Sequence, residues 1–353
     1  MRLLTAADFA VAGRKRIDPI VWDFVEGGAG SEITLEANRR MFDNLEIEPR
    51  ALVDVSTCDT KSRIFDATLP TPIGIAPTAY HRMVWDEGEI ATAQGVNGAL
   101  FIVSIFASCT LEDIAHHATG PLWLQLYWLQ QREALSELVK RASTAGYQAI
   151  VLTVDAPRIG RRLRDIRNDF GVPSHIQAVN LDAALMTSAY DADGIAKHAR
   201  QTFDQTITWS DLEWLKGLSD LPLVLKGVLS PEDADLAIQH GVDAIVVSNH
   251  GGRQLDGAVP SLRALPAIVD RVAGRCPVLF DGGVRSGRDV FVALALGATS
   301  VLIGRPVLWA LAAGGAPVVT SLMGVLNDEL ENAMALAGRP SIAQITGSAL
   351  WSR

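Results

Sequence analysis

The stretch Asp243–Gly257, "DAIVVSNHGGRQLDG", joins a short apolar run to a turn crowded with polar groups. The run is continuous rather than alternating. That pattern fits a strand buried on both faces, as in parallel sheets. The turn holds a His, an Arg, two amides and an Asp among three glycines. A turn needs a Gly or an Asn. It does not need an imidazole and a guanidinium three residues apart. The first question is how often the chain repeats this arrangement.

It repeats it eight times. The other runs are "PIGIAP" 72–77, "LFIVS" 100–104, "LWLQL" 122–126, "AIVLTVD" 149–155, "LPLVLK" 221–226, "CPVLFD" 276–281 and "TSVLIG" 299–304. Segments of helical periodicity lie between them: "DEGEIATAQGVN", "TLEDIAHHA" with Thr110 as N-cap, "REALSELVKRASTAG", "SPEDADLAIQHG", "SLRALPAIVDRVAG" and "GRDVFVALALGA". Several end in Gly, as helix C-termini do. Eight β–α units predict a parallel (β/α)8 TIM barrel. A doubly wound sheet is the alternative, and the regularity of the eight units favours the barrel.

The 353 residues read as one domain. Residues 1–70 are expected to be a helical lead-in, and 71–353 the barrel with a C-terminal helix, "PVVTSLMGVLNDELENAMALAG". The gap after the fourth strand, 156–220, is too long for a simple connection. It holds "GRRLRDIRNDFG", a mixed stretch 174–195, "DGIAKHARQTF" and "WSDLEWLKGL", and should sit as an insertion on the rim of the barrel.

Composition narrows the function. Hydrophobic residues make up 48%, enough for a large core, and the net charge is −9 with no basic patch, which argues against nucleic acid. No apolar run approaches the roughly 18 residues of a membrane span, and the N-terminus lacks the features of a signal peptide. Three scattered cysteines, Cys58, Cys109 and Cys276, predict a reduced, cytoplasmic protein. No zinc-type spacing occurs, so no metal is expected. The paired His116 and His117 fall in a surface helix. "GGAG" (27–30) is a loop rather than a dinucleotide fingerprint, and Trp123, Trp128 and Trp309 read as packing residues, with Trp128 within reach of the pocket rim.

In such a barrel the chemistry sits at the C-terminal ends of the strands. Those ends carry Ser104, Gln125 with Tyr127, Thr153 with Asp155 and Arg162, Lys226, Ser248 with His250 and Arg253, Asp281, then Gly304 with Arg305. Packing does not explain seven strands that each end in polar groups on one rim. The last two loops, "DGGVRSG" 281–287 and "IGR" 303–305, combine glycines with Arg, which suits a phosphate-bearing ligand. Lys226 ends an apolar strand. It reads either as half of a buried ion pair with Asp281 or as a fixed positive charge beside a cofactor. A lone His250 would more often be structural. With Arg253 a turn away and Asp155 on the next rim position, a general base is favoured. Arg162 and Arg253 can clamp a carboxylate, and Tyr127 adds a hydroxyl.

These residues carry a resemblance. "SNHGGRQLDG", "DGGVRSGRDVFVALALGA", "IGRP", "LQLYW" and "TVDAPRIGRR" resemble the FMN-dependent 2-hydroxy-acid oxidase and dehydrogenase family, which includes glycolate oxidase, lactate oxidase and mandelate dehydrogenase, over about residues 5–345. "RQLDGAVPS" and "RPVLWALAAGG" look closest to the 4-hydroxymandelate oxidases of antibiotic pathways. The resemblance implies FMN as cofactor, His250 as the base that takes the substrate proton, and Asp155 as its partner. It implies Arg162, Arg253 and Tyr127 on the substrate, and Lys226 beside the reduced flavin. Ala76, Pro77 and Thr78 resemble the backbone under the flavin. Ser104, Gln125, Thr153 and Ser248 resemble its ring contacts. Asp281, Gly283, Arg285, Gly304 and Arg305 resemble the ribityl and phosphate grip. The implied reaction oxidises an (S)-2-hydroxy acid to the 2-oxo acid, with molecular oxygen as acceptor and a homotetramer as the assembly.

Two positions depart from the pattern. Phe24 stands where many members carry a carboxylate-binding Tyr. Phe106 stands where glycolate oxidases have Trp. Together they predict an aromatic-lined pocket for a mandelate-type acid. The alternatives are a lactate or glycolate oxidase, and an FMN-dependent enzyme acting on another substrate.

Overall fold

The computed structural model describes residues 2–181 and 202–351. Three helices open the chain: α1 (Ala6–Arg14), α2 (Pro19–Glu26) and α3 (Ile33–Asp43). The start of α2 is set by sequence. Pro19 occupies the first turn, where its missing N–H costs nothing, and Asp18 accepts the Ile20 N–H at 2.8 Å.

The lead-in is not wholly helical, which corrects the expectation for residues 1–70. β1 (Ser62–Ile64) and β2 (Ala67–Leu69) form an antiparallel hairpin. Ile64 and Leu69 pack with Ile102, Trp123 and Val224 inside the barrel, and the Phe65 ring lies 5.4 Å from that of Trp123. The hairpin therefore plugs the barrel from the end opposite the active-site rim.

The barrel strands are β3 (Ile73–Ile75), β4 (Phe101–Ser104), β5 (Leu122–Leu126), β6 (Ala149–Thr153), β7 (Leu223–Val228), β8 (Ala244–Val247), β9 (Val278–Asp281) and β10 (Ser300–Ile303). All pair in parallel. The ring closes between β10 and β3, with Ile303 beside Ile75. All eight apolar runs of the sequence are strands. Inside, Ala76, Leu100, Ile102, Trp123, Val151, Val224, Val246, Leu279 and Leu302 fill the core in layers. Burying each large aliphatic side chain stabilises the fold by about 1.5–3 kcal/mol. β7 runs two residues past Lys226, with a register shift against β8 between Lys226 and Val228.

The intervening helices are α4 (Gly88–Gly95), α5 (Leu111–His117), α6 (Arg132–Thr144), α7 (Leu163–Arg167), α8 (Asp211–Lys216), α9 (Pro231–Gln239), α10 (Ser261–Val272), α11 (Gly287–Ala295) and α12 (Arg305–Leu336). Side-chain caps start three of them: Thr110, Ser230 and Ser286 accept the backbone N–H three residues on, at 3.1, 3.3 and 3.2 Å. Within the insertion, α7 and α8 are described. Most of "DGIAKHARQTF" and the latter part of the 174–195 stretch lie outside the described residues.

The C-terminal helix corrects two expectations. It starts at Arg305, not near 317, and continues past a kink at Gly314–Gly315, where Gly315 has φ 67°. At 32 residues it is long and apolar enough to cross a membrane by length and composition. Here it packs on α1, α4 and α11 and buries Val319, Leu322, Leu326 and Leu330.

Candidate active site

One deep cavity opens at the C-terminal rim. Its lining includes Phe24, Ala76, Pro77, Thr78, Ser104, Phe106, Tyr127, Arg162, Lys226, His250, Arg253, Asp281, Gly283, Arg285, Gly304 and Arg305. Residues from all eight strand ends but the fourth's own, together with the lead-in and the insertion, meet there. Gln125, Thr153, Ser248 and Asp155 are not in the lining. Gln125, Ser248 and Asp155 stand one hydrogen bond behind it, and Thr153 stands two behind. Ser104 Oγ donates to Gln125 Oε1 at 3.2 Å, and Gln125 Nε2 donates to Thr153 Oγ1 at 3.0 Å. Trp128 is buried away from the cavity under the Arg132 guanidinium, 4.1 Å from its ring centre, so the reach to the rim expected for it is not made.

The opening stretch divides into two kinds of residue. Asn249 and Asn38 of α3 exchange amide hydrogen bonds at 2.8 Å each. Asp256 accepts the Ser31 and Thr34 N–H groups at 2.7 and 3.0 Å. Gln254 Nε2 donates to the Asp155 and Arg158 carbonyls at 3.0 and 2.9 Å. These three tie the loop to α3 and to the insertion. Only His250 and Arg253 among the polar groups face the cavity. His250 itself has φ 58°, a left-handed conformation that costs a non-glycine residue energy and clusters at functional positions.

His250 Nδ1 lies 3.0 Å from Asp155 Oδ1. Gly227 makes room for that carboxylate. Its φ is +108°, and a Cβ there would fall 2.6 Å from the Asp155 side chain. Burial alone would raise the Asp155 pKa, but His250 and then Lys226 outweigh it and hold the carboxyl below its ordinary value. Burial lowers the pKa of His250, with Asp155 opposing and Lys226 and Arg162 assisting. The resting pair is thus a carboxylate beside a neutral imidazole. With Nδ1–H directed at Asp155, Nε2 is left as the acceptor.

Lys226 satisfies both of its sequence readings. Its Nζ lies 3.1 Å from Asp281 Oδ2 and donates to Ser248 Oγ at 2.9 Å, while the side chain still lines the cavity. Four arginines, Arg162, Arg253, Arg285 and Arg305, also line the cavity. Arg253 Nη1 donates to the Phe24 and Gly27 carbonyls at 2.7 Å each, and Arg305 donates to Val25, Gly251 and Gly27 at 3.0–3.1 Å. Arg162 is 4.0 Å from Asp165. The Arg253 and Arg162 guanidinium carbons lie 5.0 and 6.0 Å from the centre of the Phe24 ring, and Phe170 stacks behind that ring at 4.4 Å. Phe24 therefore supplies a π face to both cations. Burial and then Arg162 and Arg305 push Arg253 far below its ordinary pKa, and burial and Arg305 bring Arg285 down to about 9. Positive charge packed this densely is stabilised by an anion.

Several lining residues were not legible in the sequence. Tyr80, Phe203 and Ile159 are among them. Phe203 arrives from the far end of the insertion. It bridges to Leu129 and stacks on Tyr127 at 4.7 Å and on Phe106 at 6.1 Å. That contact depends on a pairing across more than 70 residues, and no local pattern signals it.

The barrel, the arginine-lined mouth and the His–Asp pair define a flavin enzyme of the α-hydroxy-acid type. The chain belongs to the FMN-dependent dehydrogenase family, which it matches over residues 13–352. It is an FMN-dependent 2-hydroxyacid oxidase. It is 44% identical over 346 residues to 4-hydroxymandelate oxidase from Amycolatopsis orientalis, covering 97% of this chain and 96% of that one. It is 43% identical over 352 residues to L-lactate oxidase from Nostoc sp., covering 97% and 96%. The crystal structure of mandelate oxidase with (S)-4-hydroxymandelic acid superposes with a TM-score of 0.95 at 42% identity, covering 99% of both chains.

The residues present fit FMN. Asp281 Oδ1 is buried at the cavity without a hydrogen-bond partner, as an acceptor awaiting a hydroxyl would be. Gly283 has φ +84°, and a Cβ there would come within 2.5 Å of the Asn38 carbonyl, so the loop stays bare backbone. Arg285 and Arg305 border this end and suit a phosphate dianion.

Proposed function

We propose that the enzyme oxidises (S)-2-hydroxy acids with an aryl side chain, of the mandelate or 4-hydroxymandelate type, to the 2-oxo acids. Dioxygen takes the two electrons and two protons that the substrate loses and leaves as hydrogen peroxide. The observation that carries the reading is the set of rings on one wall of the cavity. Phe106 lies 5.7 Å from Tyr127, with Phe203 stacked on both and Tyr80 5.9 Å behind Phe106. An aryl group set against them leaves water and gains ring contacts.

Each residue then has a task. Arg162 and Arg253, steadied over Phe24, hold the substrate carboxylate. Burial, and then the Asp155 charge, keep the Tyr127 phenol protonated against Arg162 and Arg253, so it donates to the substrate. His250 Nε2 takes the proton, and Asp155 stabilises the imidazolium that results. Ala76, Pro77, Thr78 and Ser104, with Gln125, Thr153 and Ser248 behind them, would hold the FMN ring. Asp281, Gly283, Arg285, Gly304 and Arg305 would hold its ribityl phosphate. FMN supplies the two-electron acceptor. Lys226 places a positive charge beside it.

The same rings favour a second reading. Phe106 is flanked by three aromatic side chains, and a wall filled this way leaves room for a small acid such as lactate. Steady-state rates on mandelate, 4-hydroxymandelate, lactate and glycolate decide between the two. The aryl reading expects kcat/KM for an aryl acid to exceed that for glycolate by at least about tenfold, or roughly 1.4 kcal/mol. A preference for glycolate or lactate overturns it.

A further inference from the structure

Below the cavity floor lies a buried imidazole that the proposed reaction does not use. His81 is fully buried. Both of its ring nitrogens meet hydroxyls: Nε2 lies 2.6 Å from Thr78 Oγ1 and Nδ1 lies 2.9 Å from Thr92 Oγ1 of α4. Thr78 lines the cavity and Thr92 does not. The chain Thr92–His81–Thr78 therefore runs from the interior of a helix to the cavity surface.

The local backbone is built to hold it. Tyr80 adopts φ 55°, which turns the chain sharply between Thr78 and His81. The His81 N–H donates to Glu89 Oε1 at 2.9 Å, and Glu89 is itself buried and takes the Ser108 N–H and hydroxyl at 3.0 and 2.7 Å. The nearest carboxylate is thus engaged by other donors and does not bond the ring. Burial lowers the His81 pKa, with Glu89 opposing, so the ring is neutral. A neutral imidazole has one N–H and one lone pair. One of its two hydroxyl partners must then donate to it while the other accepts. A space-filling residue needs neither bond. His81 has both, at short distance, with one ending on a cavity-lining side chain.

We propose that His81 is a positioning residue that fixes the hydroxyl of Thr78 at the cavity floor, and through it sets the affinity and redox potential of the bound FMN. The hydroxyl is held in one orientation instead of rotating freely, so its bond to a bound group costs less ordering. The inference rests on FMN occupying this cavity and is independent of which hydroxy acid the enzyme prefers.

The test uses the FMN-loaded protein and four variants: Thr78→Val, His81→Leu, His81→Gln and the double variant Thr78→Val/His81→Leu. FMN dissociation is followed by the recovery of free-flavin fluorescence, and the midpoint potential by equilibration with redox dyes. Thr78→Val and His81→Leu should each weaken FMN binding roughly fivefold, the worth of one net hydrogen bond. Both should shift the potential in the same direction. The double variant should do no more than either single one, because both remove the same bond. His81→Gln, which keeps a donor and an acceptor, should recover most of the loss. Effects that add in the double variant would overturn the proposal. So would a His81→Leu protein with unchanged affinity and potential. If His81→Leu does not fold, Thr92→Val takes its place. It touches no cavity atom and should move the potential in the direction Thr78→Val does, and an unmoved potential there counts against the proposal.

Discussion

At the scale of single residues, the proposed chemistry depends on His250 being neutral at rest and on Asp155 being charged. His250→Ala should keep its FMN and its fold, because no phosphate contact is touched. Anaerobic flavin reduction by substrate should fall by about 10²–10⁴, the usual worth of a general base. Stopped-flow bleaching of the flavin measures it, and near-normal reduction would remove His250 from the role. The pH dependence follows from the direction of the shift. The base works only when unprotonated, so the rate falls as pH drops through the His250 pKa. That pKa lies below its ordinary value of 6.5, so the half-maximal point of the acid limb should fall below pH 6.5. Asp155 is the influence that raises it. Asp155→Asn should therefore move the acid limb to still lower pH while lowering the plateau at least about tenfold, since the imidazolium loses its partner. An acid limb that moved upward would contradict the assignment. The arginines divide by position. Arg162→Met and Arg253→Met should weaken binding of a 2-oxo acid, each losing a charge-assisted hydrogen bond, whereas Arg305→Met should release FMN. Exchanged phenotypes would mean that the substrate and phosphate ends are reversed.

At the scale of elements, legibility followed the range of the interactions. The eight barrel strands were readable because each is a continuous apolar run, and burial on both faces leaves that trace in any short window. The β1–β2 hairpin was not, because "SRI" and "ATL" are three residues each and expose alternate side chains. α12 was cut short because Gly314, Gly315 and Pro317 look like a break, while tertiary packing carries the helix through the kink. In the loop after β8, the sequence singled out His250 and Arg253 and gave Asn249, Gln254 and Asp256 no role. The partners of those three lie chiefly on α3 and in the insertion, and such contacts exist only in three dimensions. Phe203 escaped for the same reason. The pairing of Asn249 with Asn38 predicts a mechanical role for α3. Asn249→Ala leaves the buried Asn38 amide without its partner and should cost about 1–3 kcal/mol. Because the same bonds set the loop that carries His250, turnover should fall along with thermal stability. A variant with wild-type melting and wild-type turnover would show that α3 does not position this loop.

At the scale of the whole molecule, the barrel brings four arginines, Arg162, Arg253, Arg285 and Arg305, to one mouth of a chain whose net charge is −9. All four are buried enough for desolvation to lower their pKa, and Arg253, Arg285 and Arg305 are lowered further by neighbouring arginines. The fold therefore stores unfavourable positive charge at the site where anionic ligands bind. Removing FMN should leave the protein destabilised by this repulsion as well as by the lost contacts. Restoring FMN to about 100 times its dissociation constant should contribute about 2.7 kcal/mol by mass action alone. The electrostatic part can be isolated in the FMN-free protein. Inorganic phosphate should raise its melting temperature more than sodium chloride at equal ionic strength, because a bound dianion neutralises the cluster, whereas diffuse screening penetrates little into a buried site. Arg305→Met should remove much of that difference by lowering both the repulsion and the affinity for phosphate. Equal stabilisation by the two salts would show that the cluster is already neutralised by its backbone carbonyl contacts, and that FMN binding draws on packing rather than on stored charge.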